Sequence, residues 1–127
     1  PDPDVIGVLG ELEESVGNLD GAEQEFARLV GIDPGNATAR SALGRILLAR
    51  ARPAEALKHL ELAYEMDPYS PLTRALLARA YQMQGDSSRA DDHWRGVLAM
   101  TPEGDSLHVE AQAALDAIST ADRRRLR

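Results

Sequence analysis

The chain has no cysteine, and this removes disulfides, zinc–thiolate sites and thiol nucleophiles together. It leaves the compartment open, with the cytoplasm as the default. Aromatic residues make up only 4% of the 127 residues, so a core has to be built from Leu, Ala and Val. Lysine occurs once, as Lys58, against thirteen arginines, a codon-driven bias that fits a GC-rich bacterial genome. No apolar run approaches the roughly 18 residues a membrane-spanning helix requires. The opening PDPDVIG has neither the basic nor the hydrophobic stretch of a secretory signal. Lacking an initiator methionine, the chain also reads as part of a longer protein.

What is present is globular. Hydrophobic residues reach 43%, and the length suits one domain. The net charge of −7 is unevenly spread. Residues 1–36 hold nine acids against Arg28, whereas the rest of the chain is close to neutral. Most of those acids read as a solvated face. Together with the arginines further along they also make a bipolar surface, which favours a partner of matching polarity.

Punctuation repeats along the chain. Pro34, Pro68 and Pro102 are 34 residues apart, a period typical of stacked helical hairpins. Cut at 3–36, 37–70 and 71–104, three segments align without a gap. Leu9-Gly10, Leu43-Gly44 and Leu77-Ala78 coincide, as do Ala22, Ala56 and Ala90. Each of those alanines precedes a large apolar residue by four: Phe26, Leu60 and Trp94. The small residues let two helices approach closely, and the large ones fill the space between one hairpin and the next. Gly17 and Gly85 are placed to end the first helix in a left-handed turn, and Pro53 is expected to replace that solution in the second unit. Helices are expected over 4–16, 19–32, 37–51, 53–66, 71–84 and 87–100. A helix over 106–119 follows through Leu107, Ala111, Leu115 and Ile118, as a cap or as the first helix of a fourth repeat, and then a frayed basic tail over 120–127.

The pattern resembles the tetratricopeptide repeat. The family's W-x2-L-G-x2-Y…A-x3-F…P is matched by Ile6, Arg40 and Arg74 at a degenerate Trp position, and by the small residues and prolines above. The resemblance covers residues 3–104. It implies an all-α, right-handed superhelix of three hairpins plus the C-terminal cap, with a concave groove lined by the first helix of each pair.

In the family that groove holds a peptide or partner helix. Carried over position by position, it includes Glu11 and Glu14, then Ser41, Arg45 and Leu48, then Arg79 and Gln82, with Val109 from the cap and Leu72 at the edge. Arg45 and Arg79 occupy equivalent positions, so the resemblance implies two guanidinium groups in one groove, suited to a carboxylate or an acidic segment. The competing reading is that Glu11 or Glu14 neutralises the arginine. The carboxylate clamp of one chaperone-binding subfamily is absent, since its positions read Gly7, Glu11, Leu72 and Leu76.

Catalysis and cofactors find no support. His59 and His93 recur at one repeat position, but helices in adjacent hairpins lie about 10 Å apart, too far to share an ion. No phosphate-cradling glycine motif occurs, and the negative charge disfavours nucleic acid. The ending ADDHWRGVLAMTPEGDSLHVEAQAALDAI also resembles periplasmic tetratricopeptide domains of bacterial cytochrome c biogenesis proteins. That resemblance implies an amphipathic helix as cargo, with Leu48, Leu72, Met83 and Val109 as apolar contacts. The expected function is therefore a protein-interaction module with a peptide or helix as partner. The alternatives are docking or dimerisation within a larger enzyme, self-association through an uncovered helix face, and apocytochrome chaperoning.

Overall fold

The computed structural model describes residues 2–126. Among them the chain forms α1 (Pro3–Ser15), α2 (Leu19–Ile32), α3 (Ala37–Ala49), α4 (Pro53–Met66), α5 (Pro71–Met83), α6 (Ser87–Met100) and α7 (Ser106–Arg125), with no strand. No helix of the described residues is long and apolar enough to cross a membrane.

Local chemistry sets the ends. Asn18, Asn36, Ser70, Asp86 and Asp105 cap α2, α3, α5, α6 and α7 by accepting hydrogen bonds from amides of the first turn. Arg52 ahead of α4 makes no such bond, and Pro53 begins that helix instead, in a first turn that needs no donor. The first helices of all three hairpins end alike. Residues Gly17, Ala51 and Gly85 have φ of 80°, 58° and 77°. Beyond them the amides of Asn18, Arg52 and Asp86 donate to the carbonyls of Glu13, Leu47 and Tyr81 at 2.8, 2.9 and 2.9 Å. Pro53 therefore does not replace the left-handed residue of the second hairpin. Ala51 adopts that conformation despite its Cβ, because the closing bond from Arg52 to Leu47 demands it.

The last helix also departs from expectation. It runs past residue 119 to Arg125. Nothing between Ser106 and Arg125 breaks a helix, and Arg123, Arg124 and Arg125 place positive charge at its negative C-terminal end. Arg127 lies outside the described residues.

Two compact units divide the chain, the first ending at Pro68 and the second starting at Tyr69. In the first, α1–α2 and α3–α4 are antiparallel hairpins and α2 packs on α3. Gly10 and Gly44 make the hairpins tight. A Cβ on Gly10 would sit 2.8 Å from Phe26 Cζ, and one on Gly44 2.5 Å from Leu60 Cδ2. Phe26 and Leu60 thus press onto the glycine of their own hairpin, and filling the gap to the next is not their only task. In the second unit α5 and α6 pair, and α7 lies mainly against α6. Trp94 is buried there in one cluster with Ala75, Ala78, Ala90, Val97, Ala111 and Leu115.

Candidate functional site

The two arginines singled out from the sequence fall in different units, and each is held by a carboxylate of its own unit. Arg45 on α3 donates from Nε and a terminal nitrogen to the two oxygens of Glu14 on α1, at 2.9 and 2.7 Å. Arg79 on α5 does the same to Glu110 on α7, at 2.7 and 2.5 Å. Two parallel bonds are the strong form of the arginine–carboxylate pair, and both side chains of each pair remain about one-third exposed. The expectation of two uncommitted guanidinium groups is corrected. Neutralisation by Glu14 was the competing reading for Arg45, and Glu110 supplies the counterpart for Arg79.

The other positions carried over from the family divide by exposure. Ser41 is only 7% exposed, buried beside Ala42 and Leu43, and offers little surface to a ligand. Leu48 is half-buried, while Glu11, Gln82, Leu72 and Val109 are exposed. On α5, Leu72, Arg79 and Met83 share one face by their spacing of seven and four residues. Val109, 57% exposed, immediately precedes Glu110 on α7. The α5 face that bears Arg79 thus carries two exposed apolar side chains, Leu72 and Met83.

The acidic surplus of the first hairpin is partly internal. Asp20 and Glu23 on α2 pair with Arg50, and Glu23 also binds Arg52 at 2.7 Å. These arginines come from the turn between α3 and α4, so the charges tie the first two hairpins together.

The repeated histidines have structural partners. Arg40 lies 3.2 Å from Nδ1 of His59, and Arg74 lies 3.4 Å from Nδ1 of His93. Since a guanidinium only donates, each ring accepts at Nδ1. Arginine at the degenerate Trp position of the motif therefore reaches the second helix of its own hairpin. Burial, then the Arg40 charge, holds the His59 imidazolium below its usual range. His93 stacks on Tyr81 with ring centroids 5.7 Å apart. His108 donates from Nδ1 to the Thr101 carbonyl at 3.0 Å. Among the described residues no three His, Asp or Glu side chains gather as cation ligands.

Sequence reasoning passed over one surface, the outer side of α1, where Val5, Val8, Leu9, Leu12 and Val16 are all exposed. Their helical spacing is legible in the sequence, but the repeat aligns Leu9 with Leu43 and Leu77, both of which are buried, and so gives no sign of its exposure.

Three closely similar hairpin turns, the glycine–Phe26 and glycine–Leu60 contacts and the 34-residue period define a repeat, and a model of the tetratricopeptide repeat matches residues 8–71. The chain belongs to the tetratricopeptide repeat family. No curated protein matches it. Among solved structures, PcrH in complex with the chaperone-binding region of PopD is 23% identical with a TM-score of 0.85, over 94% of this chain and 92% of that one. PcrH comes from Pseudomonas aeruginosa. The type III secretion translocator chaperone SycD of Yersinia enterocolitica, in an alternative dimer, is 20% identical with a TM-score of 0.86, over 94% of this chain and 93% of that one. The first tetratricopeptide domain of Spaghetti (RPAP3), bound to the HSP90 peptide SRMEEVD, is 19% identical with a TM-score of 0.84, over 94% of each chain. At these identities the likeness is one of fold.

Proposed function

We propose that this tetratricopeptide repeat protein is an interaction module that holds a peptide or partner helix on the α5 and α7 surface of its second unit, and that its ligand is anchored by apolar side chains. The carrying observation is that Leu72 and Met83 are exposed on the α5 face that bears Arg79, with Val109 exposed next to Glu110 in α7. An acidic ligand would have to displace Glu110, or Glu14 in the first unit, from a two-pronged bond. An amphipathic helix needs no such exchange. Its apolar stripe covers Leu72 and Val109, and its polar edge meets the paired charges as they stand. Similar folds with bound segments, of PopD in one case and HSP90 in another, support a binding role. The reading assigns binding and no catalytic step.

The test replaces Leu72 and Met83 together with Asp. Affinity capture from the source organism with the unaltered chain supplies the partner, which is then titrated calorimetrically against both proteins. Loss of binding by at least about tenfold, with helicity unchanged, is expected for two apolar anchors. Undiminished binding by the double variant places the ligand elsewhere and overturns the reading.

A further inference from the structure

We infer that the outer face of α1 is a second docking surface, and that its occupant is a basic amphipathic helix of another protein. The inference concerns the first unit and stands apart from the reading of the α5 face. Helix α1 turns Ile6 and Gly10 inward, with the Phe26 ring against Gly10. Val5, Val8, Leu9 and Leu12, with Val16 at its cap, form a continuous stripe on the other side. Leu12 is 57% and Val16 77% exposed. Scattered apolar residues are ordinary on a surface, but five on one turn-by-turn stripe are a contact face.

The repeat register shows that a helix fits there. Val5, Val8, Leu9 and Leu12 are the counterparts, 34 residues earlier, of Ala39, Ala42, Leu43 and Ile46. All four of those are buried, on the helix α3 that packs between α2 and α4. The stripe on α1 therefore has the form of a helix-receiving face.

Charge selects the occupant. Asp4 and Glu11 border one edge of the stripe and Glu13 the other, and α1 contains no lysine or arginine. Glu13 is fixed by a hydrogen bond from the Asn18 side chain at 2.6 Å. Two copies of α1 face to face would oppose carboxylate to carboxylate across an apolar seam, which disfavours a second copy. A helix with Leu or Val along one stripe and Lys or Arg on both flanks meets the apolar stripe and both acidic edges at once.

The probe is a fluorescein-labelled peptide of about 18 residues, made of leucine and lysine in amphipathic order and long enough to be helical. Its counterpart carries glutamate in place of lysine. Fluorescence anisotropy should give saturable one-to-one binding of the Leu/Lys peptide and none of the Leu/Glu peptide. Leu9→Ser/Leu12→Ser should weaken it by at least about tenfold. Glu11→Lys, which leaves the apolar stripe intact, should weaken it several-fold at low salt, an effect that fades as salt is raised. Equal affinity for the Leu9→Ser/Leu12→Ser protein would reduce the binding to net-charge attraction and overturn the proposal. A concentration-dependent dimer abolished by that same variant would also overturn it, by making a second copy the occupant. Extension of the chain ahead of Pro1 that abolishes peptide binding would do so too, by filling the face from within one chain.

Discussion

Glu14 and Arg45 lie 31 residues apart in the chain and meet through two parallel bonds of 2.7 and 2.9 Å between α1 and α3. Glu14 already occupies both donors that Arg45 presents, so it competes with any acidic ligand for that guanidinium. Replacing Glu14 with Gln keeps the shape and removes the charge. Because both side chains are about one-third exposed, the cost to stability is expected to be at most about 1 kcal/mol, as thermal unfolding would show. Arg45 is then released. An oligo-glutamate peptide should bind Glu14→Gln more tightly than the unaltered chain in calorimetric titration, and no gain would show that Arg45 is not held back by Glu14.

The closeness of Gly44 to Leu60 makes a second prediction. A methyl group at residue 44 would fall 2.5 Å from Leu60 Cδ2, and Leu60 is fully buried with nowhere to turn. Alanine is the better helix former, so on an exposed helix the change would stabilise. Here overpacking dominates, and Gly44→Ala is expected to cost about 1–3 kcal/mol in denaturant unfolding. Gly31, whose added Cβ meets nothing within 4 Å, is the control, and Gly31→Ala should not destabilise.

Ala51 predicts the opposite sign. It holds φ of 58° where Gly17 and Gly85 serve the same turn. An L-residue in the left-handed region costs roughly 1–2 kcal/mol, against which glycine gives back some chain entropy in the unfolded state. The net expectation is that Ala51→Gly stabilises by about 1 kcal/mol, read as an upward shift of the melting temperature. A downward shift would mean that the turn carries no strain.

The hairpins were legible because their signals recur: a proline every 34 residues and small residues opposite large ones. Helix limits followed wherever a capping side chain or a proline stood at the boundary. Ala51 was missed because its conformation is imposed by the closing bond from Arg52 to Leu47, and no local preference of alanine announces it. Glu110 was missed for a different reason. It lies in α7, beyond the third repeat, where the 34-residue register no longer says which residue faces Arg79. The arginine–histidine pairs were half visible. Both histidines stood out by position, yet their partners are the residues that replace the family's Trp, and only packing within each hairpin brings them together.

His59 gives the last prediction, a dependence on pH. Its Nδ1 accepts from Arg40, and burial together with the neighbouring positive charges of Arg40 and Lys58 outweighs Glu55 and lowers its pKa in the folded protein. Between that lowered value and the ordinary histidine value near 6.5, the unfolded chain binds a proton that the folded chain refuses. Stability from this site is therefore complete above about pH 6.5 and declines as the pH falls below it. The substitution His59→Gln keeps an acceptor for Arg40 and removes the titration. Unfolding free energies measured from pH 8 to pH 5, compared between the two proteins, should converge or cross as acid is added, because only the unaltered chain loses the His59 contribution. Parallel curves over that range would mean that His59 titrates alike in the folded and unfolded chain, and that the Arg40–His59 contact does not govern its protonation.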